Sequence, residues 1–417
     1  RHECVRLTRK MKLNKFKIIF FIIVLVTLIV LVGILGFKWS KHHEVETQVL
    51  KNQSDNTNYI EKRDKSVKAP EKLKTIVDKK EPMYGQIDKY LKETHFNGTV
   101  AIFDNGKLKM NKGYGYKDIE KGKKNTANTM YLIGSSQKFT TGLMLKQLEL
   151  EHKVDLNAPV TKYLPWFKTD KEITIKDLML HKSGLYKYEA STNIKNLDQA
   201  VLSIQKRGID DKVYHKHSYN DANYLVLAKV IEKVTGKPYV QNYYERLGNK
   251  FHLKHSAFYD EKPLQNEMAK GYKFKNDSFS FLRPNVLDQY FGAGNLYMAP
   301  YDMGKLINKF QQDKLFSSNV TNPMLHEFGT EEYPEEYRYG FYVTPYLNRV
   351  NGVFFGQTFT VYFNDRYVAI LGTNIKNTNG FVPNEDKMRH IFYNILNQKK
   401  PYNTPGVKVQ EKQRTNH

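Results

Sequence analysis

Residues 18–37 form an unbroken run of about twenty apolar or small residues without one charged side chain. A helix of that length crosses the hydrocarbon core of a bilayer, whereas a helix in an aqueous fold normally carries a polar face. Ahead of the run stand Arg1, Arg6, Arg9, Lys10, Lys12, Lys15 and Lys17, opposed only by Glu3. The positive-inside rule therefore keeps residues 1–17 in the cytoplasm and exports everything after Lys38. The apolar stretch is longer than the core of a cleavable secretory signal. It also ends Gly36-Phe37-Lys38-Trp39 rather than in a small-residue cleavage site, which favours an uncleaved transmembrane anchor. Met11-Lys12-Leu13-Asn14-Lys15 has the form of a natural start, so residues 1–10 read as upstream extension.

Export restricts the chemistry. The chain of 417 residues holds one cysteine, Cys4, which excludes a disulfide framework, a zinc-thiolate site and an iron–sulfur cluster. The formal charge is +23, and division along the chain is more informative than the total. The anchor region carries +7, a mixed-charge stretch over 39–82 carries +2, the tail over 399–417 carries +4, and +10 remains on 83–398. Residues 38–82 read as a stalk and 399–417 as a basic tail. An exported basic domain is not expected to meet nucleic acid; membrane and anionic wall polymers are the expected partners.

Residues 83–398 read as an α/β domain. Residues 87–94 pattern as a short helix. The Gly98–Phe103 run, the turn Asp104-Asn105-Gly106 and a second run to Tyr116 form a hairpin signal. Helical patterns fill 135–310, including 223–234 and 301–311. Strand patterns return at 339–344, 354–363 and 367–374, before a last helix over 386–397. Since the strands lie at both ends of the domain, the two ends must close one sheet around a mainly helical middle. The pairs His42-His43 and His215-Lys216-His217 accompany no carboxylate arrangement and read as surface. No metal or cofactor site is expected, and no phosphate-cradling glycine loop is visible.

Chemistry enters at Ser135. It ends a short apolar run and begins a helix to about residue 151, with Lys138 three positions on and so on the same face. A serine hydroxyl becomes a good nucleophile when a neighbouring base takes its proton. A lysine serves as that base if its surroundings keep it neutral. A helix start also offers backbone N–H groups to an oxyanion. The spacing alone is weak: Ser203 and Lys206 repeat it on an amphipathic pattern, where a solvated face explains it, and Ser135 alone could equally be a helix cap.

The wider context resembles the serine β-lactamase and penicillin-binding protein family, class C-like members above all. Ile133-Gly134-Ser135-Ser136-Gln137-Lys138-Phe139-Thr140 resembles its first motif, and Leu178-Met179-Leu180-His181-Lys182-Ser183-Gly184-Leu185 its Leu-Leu-x-His-x-Ser-Gly-Leu segment. Tyr219-Asn220-Asp221 lies where the family has Tyr-x-Asn, and Gly292-Ala293-Gly294-Asn295-Leu296-Tyr297 resembles Ala-Gly-Gly-Leu. These stretches follow one another in the family's order across residues 133–297. The resemblance implies a β-lactamase/transpeptidase-like α/β fold: an antiparallel sheet flanked by terminal helices, plus a mainly helical subdomain. It implies Ser135 as nucleophile, Lys138 as its base, Tyr219 as proton relay and Asp221 as the group that holds the network. It also implies His181 and Gly294 as structural supports and an oxyanion region near Val353, Phe354 and Gly356.

Two departures narrow the activity. Asp221 replaces the family's Asn and adds a negative charge beside Lys138, which should favour the ammonium and move activity to higher pH. Where the third motif would supply a cation, the chain reads Asn351-Gly352-Val353. That position ordinarily recognises the carboxylate of a β-lactam or of a terminal D-alanine. Its loss suits a substrate whose D-alanine is esterified. Lys112-Gly113-Tyr114-Gly115-Tyr116, Leu164-Pro165-Trp166-Phe167-Lys168 and Phe354-Phe355-Gly356-Gln357 resemble a branch of the family associated with removing D-alanine esters from teichoic acids. The expected function is that membrane-anchored esterase. The alternatives are a low-affinity penicillin-binding protein acting on D-Ala-D-Ala or β-lactams, and a non-catalytic wall-binding protein.

Overall fold

The computed structural model describes residues 2–51, 55–377 and 381–409. The chain divides into two units, Arg1–Gln53 and Ser54–His417. The first holds a single helix, His2–Lys51, within which Asn14–Lys41 is long and apolar enough to cross a membrane. None of that stretch is buried by protein, as expected of a surface that meets lipid.

The second unit is built on an eight-stranded sheet. In spatial order its strands are Ile76–Val77, Lys107–Tyr114, Gly98–Asp104, Tyr367–Thr373, Gln357–Phe363, Asn348–Phe354, Phe341–Val343 and Tyr337–Arg338. Every pairing is antiparallel. The ends of the domain do close it, from Gly98 opposite Thr373 to Asp104 opposite Tyr367. The first hairpin turns on Asn105 and Gly106, both left-handed at φ 48° and 78°, the conformation a two-residue turn needs to follow the strand twist.

Alternation sorts the strands onto two cores. Val100 and Ile102 face one way with Tyr362, Ala369 and Leu371, covered by the helix Pro82–Glu93 through Tyr84, Ile87 and Leu91 and by Met388, Ile391 and Phe392 of the last helical segment. Ala101 and Phe103 face the other way with Phe359, Val361 and Ile370, beneath the helical subdomain. The helix Gln137–Leu150 runs through the middle of that second core, with twelve of its fourteen residues buried. A helix buried on nearly all sides is held by packing rather than by its own propensity, so its start is fixed to the sheet.

Three expectations change. The stalk shortens: Asp55–Asp64 is a helix lying on the domain, with Ile60 in the core and Arg63 paired to Glu261 at 3.0 Å. Ile76 and Val77 then add a strand to the sheet edge. The charged composition hid this because the segment docks through a few scattered apolar side chains, Tyr59, Ile60 and Val67, and several polar bonds. The tail is likewise attached as far as Val409, whose N–H donates to Glu327, and Asn403 is buried between Thr344 and His326; residues 410–417 lie outside the described residues. Finally, the expected strand over 354–363 is a hairpin, turning at Phe355 and Gly356 with φ 44° and 79°. Most of its first arm, Asn348–Phe354, lies ahead of the expected strand.

Candidate active site

Tyr131 and Leu132 form a short strand, and Gly134 then reverses the chain at φ 53° into a single tight turn before the buried helix begins. A side chain at Gly134 would need that strained conformation and would press on Phe354 and the Val353 nitrogen at 3.2 Å. Ser135 is the middle residue of this turn, half-exposed at the helix mouth. Lys138 follows on the same face with its side chain fully buried, and donates to Ser135 Oγ at 3.0 Å and to Asp221 Oδ1 at 2.5 Å.

Asp221 reaches this point because Asn220 caps the helix Asp221–Thr235, accepting from the Ala222 N–H. The Asn220 amide also donates to Leu185 and Tyr186 carbonyls, tying the cap to the segment after His181. Tyr219, just ahead of the cap, lies with its ring 4.7 Å from the Lys138 ammonium. Burial works against the charge of Lys138. The attraction of Asp221 and Tyr219, together with hydrogen bonding to them, outweighs burial, so the lysine stays an ammonium to higher pH than usual.

His181 is buried beneath Tyr219, the ring centroids 4.3 Å apart. Its Nδ1 accepts from the Asn220 N–H at 3.2 Å and from the Asn223 amide at 2.9 Å. Burial, then the Lys138 charge, pushes its pKa well below the ordinary histidine value, so the ring is neutral. A neutral acceptor that fixes the Asn220 cap and underlies Tyr219 holds the site from below.

Across the cleft runs Asn348–Phe354. The neighbouring strand Phe341–Val343 pairs only with Asn348 and Arg349, leaving the edge from Val350 onward without a strand partner on that side. The Ser135 turn fills the gap. A Cβ on Gly352 would lie 1.9 Å from the Ile133 carbonyl and 2.7 Å from the backbone nitrogens of Ser135 and Ser136, so only glycine permits this approach. Ser135, Tyr219, Tyr342, Arg349, Asn351 and Val353 line one cleft of about 250 Å³.

Of the residues singled out by sequence, Ser135, Lys138, Tyr219, Asp221, His181 and Val353 come together. Phe354 borders the turn but packs its ring on Tyr290 and over Gly294, where a Cβ would meet it at 3.1 Å. Gly356 does not join the cleft; it lies in the hairpin turn against the Tyr272 backbone. Gly294 sits in a segment locked by Gln137, whose side-chain carbonyl accepts from Asn295 and Leu296 N–H at 2.6 and 3.0 Å.

Arg349 was missed. It stands two residues before Asn351 on the same strand face and puts a guanidinium in the cleft, although Glu385 binds it through two contacts of 2.9 Å. The turn-like composition of Asn348-Arg349-Val350-Asn351-Gly352 concealed the strand, and with it the alternation that would have revealed Arg349. Ser203, by contrast, bonds back to the Ala200 carbonyl within its own helix. No group of three or more metal-ligating side chains occurs among the described residues.

Residues 85–391 match the beta-lactamase family. The teichoic acid D-alanine hydrolase of Staphylococcus aureus is 59% identical over 402 residues, covering 96% of this chain and all of that protein.

The chain belongs to the beta-lactamase family.

Among solved structures, that of FmtA from Staphylococcus aureus superposes with a TM-score of 0.83 at 64% identity, covering 86% of this chain and 98% of FmtA. The octameric penicillin-binding protein homologue from Pyrococcus abyssi shares the fold, with a TM-score of 0.64 at 19% identity over 76% of this chain and 77% of that one. The chain is thus a member of the beta-lactamase-fold serine hydrolases, with the antiparallel sheet and helical subdomain that the resemblance implied.

Proposed function

We propose that this protein is a D-alanyl ester hydrolase acting on teichoic acids through an acyl-enzyme on Ser135. The observation that carries the reading is the Ser135–Lys138–Asp221 cluster in a chain 59% identical, end to end, to a teichoic acid D-alanine hydrolase.

Ser135 Oγ attacks the ester carbonyl as its proton passes to Lys138, in the fraction of molecules whose lysine is neutral. The N–H groups of Ser135 and Val353 stabilise the resulting oxyanion; the close approach around Gly352 supports this pairing. Collapse breaks the bond to the polyol oxygen, which leaves as an alcohol after taking a proton from Lys138 through Tyr219. Water then attacks the D-alanyl-serine, gives its proton to Lys138, and the serine oxygen recovers a proton as D-alanine departs. Asp221 fixes the position of the Lys138 amine, at the cost of a higher working pH.

β-Lactams and D-Ala-D-Ala peptides need a cation free to bind their carboxylate. Arg349 is the cation in the cleft, and its pairing with Glu385 speaks against that second reading. The same reading takes residues 1–17 as cytoplasmic, 18–37 as the single membrane span, and the domain over 83–398 as lying on the cell-wall side with its attached 55–82. Purified D-alanylated teichoic acid should release free D-alanine with the parent protein and not with Ser135→Ala; equal release by both would reject the mechanism.

A further inference from the structure

Beyond Arg349 and Asn351 the Ser135 cleft opens into a groove of about 1060 Å³. The two spaces share Tyr342, Arg349, Asn351 and Val353. Arg349, Asn351 and Val353 alternate along one strand and so face the same side of the sheet, while Tyr342 stands opposite Arg349 on the next strand. The helix Asn384–Arg389 forms the facing wall, and a D-alanyl ester fitted to the smaller cleft would leave the groove to the rest of its polymer.

The charges of the groove are unbalanced. Arg349, Lys376, Lys387 and Arg389 line it against one carboxylate, Glu385, among the described residues. Glu385 is committed to Arg349, and Arg389 also touches Asp386 at 3.1 Å. Lys387 stands out: it is only 6% exposed, its ammonium donates to the Val382 carbonyl at 2.6 Å, and no carboxylate among the described residues is bonded to it. Burial alone pushes its pKa down to about 8, with no neighbouring charge acting in opposition. A buried ammonium without a counter-charge is costly unless something anionic arrives. Asn351 adds neutral donors: its carbonyl accepts from Thr360, itself bonded by Asn384, which leaves the Asn351 amide N–H groups for a ligand.

We propose that this groove binds the polyol-phosphate backbone of the substrate, with one phosphodiester at the Asn351 amide and another at Lys387, flanked by Arg389 and Lys376, while an ester of the same chain lies at Ser135. The inference rests on the esterase reading for its substrate but on the groove itself for its charge. It makes the enzyme a reader of polymer, distinguishing a D-alanyl ester within a phosphodiester chain from the same ester on a small alcohol.

The test uses the full chain in detergent and two variants. Lys387→Met removes a buried charge and should melt no lower than the parent, so a loss of binding cannot be blamed on unfolding. Lys376→Glu with Arg389→Glu alters only exposed side chains. Binding of poly(glycerol phosphate) stripped of D-alanine should weaken about tenfold in each. The ratio of kcat/KM for D-alanylated polymer to that for a small D-alanyl ester should fall by a similar factor. Binding within twofold of the parent in both variants would overturn the proposal, as would an unchanged ratio. If the parent hydrolysed neither ester, the esterase reading would fall, and the binding measurement on ester-free polymer would still decide the groove.

Discussion

Lys138 and Asp221 form a direct ion pair, Nζ to Oδ1 2.5 Å, with the lysine side chain entirely buried and the carboxylate one-third exposed. A general base cannot accept a proton while it is an ammonium, so the pair sets a price on activity that is measurable as a function of pH.

Because Lys138 is shifted upward, the rate of Ser135 acylation should rise with pH through the alkaline range. Asp221→Asn removes the attraction and leaves burial dominant, so the rise should move down by about one pH unit or more. Pre-steady-state acylation by an activated D-alanyl ester, followed from pH 6 to 10, checks this. A limb that stays in place would show that Asp221 does not control Lys138.

Gly352→Ala places a methyl group 1.9 Å from the Ile133 carbonyl. The strand must move away from the Ser135 turn, which separates the two backbone N–H groups assigned to the oxyanion. We expect kcat to fall about a hundredfold or more, with about 1–3 kcal/mol of stability lost. A variant that keeps its turnover would place the oxyanion elsewhere.

His181 is neutral in the fold because burial and Lys138 lower its pKa. Below about pH 6.5 the unfolded chain takes up a proton there that the folded chain refuses. Stability from this group is therefore full above that pH and is lost as pH falls, by about 1.4 kcal/mol per unit. Urea unfolding at pH 7 and pH 5.5 should show a smaller difference for His181→Gln than for the parent. The same difference in both would mean that His181 is protonated when folded.

Arg63 lies over the Tyr244 ring, 3.4 Å from its centroid, and pairs with Glu261, whose side chain is 2% exposed. Arg63→Ala leaves the Glu261 carboxyl buried without its cation, held only by the Tyr244 hydroxyl and the Phe258 N–H, which costs about 3–5 kcal/mol. Thermal melting of the Arg63→Ala chain measures it; an unchanged melting temperature would mean that the Arg63–Glu261 pair adds nothing to the folded unit.

Much of this was legible in the sequence, and for stated reasons. The hairpin at Asn105-Gly106 was readable because those residues suit left-handed backbone, and the Ser135–Lys138 face followed from helical spacing. The docking of residues 55–82 was hidden because polar pairs such as Arg63–Glu261 leave no apolar period. The strand holding Arg349 was hidden by its Asn and Gly residues, and Phe355 concealed a turn by occupying left-handed space that aromatic residues seldom adopt. What sequence pattern reads is local; what it missed was made by distant partners.

The central claim is that Ser135 carries the D-alanyl group during hydrolysis of teichoic acid. Mass spectrometry of protein quenched during turnover on purified D-alanylated polymer tests it most directly. The account predicts a D-alanyl adduct on the peptide containing Ser135, present in the parent and absent from Ser135→Ala, together with free D-alanine released only by the parent. Release of D-alanine by Ser135→Ala at the parent's rate, with no adduct in either protein, would contradict it.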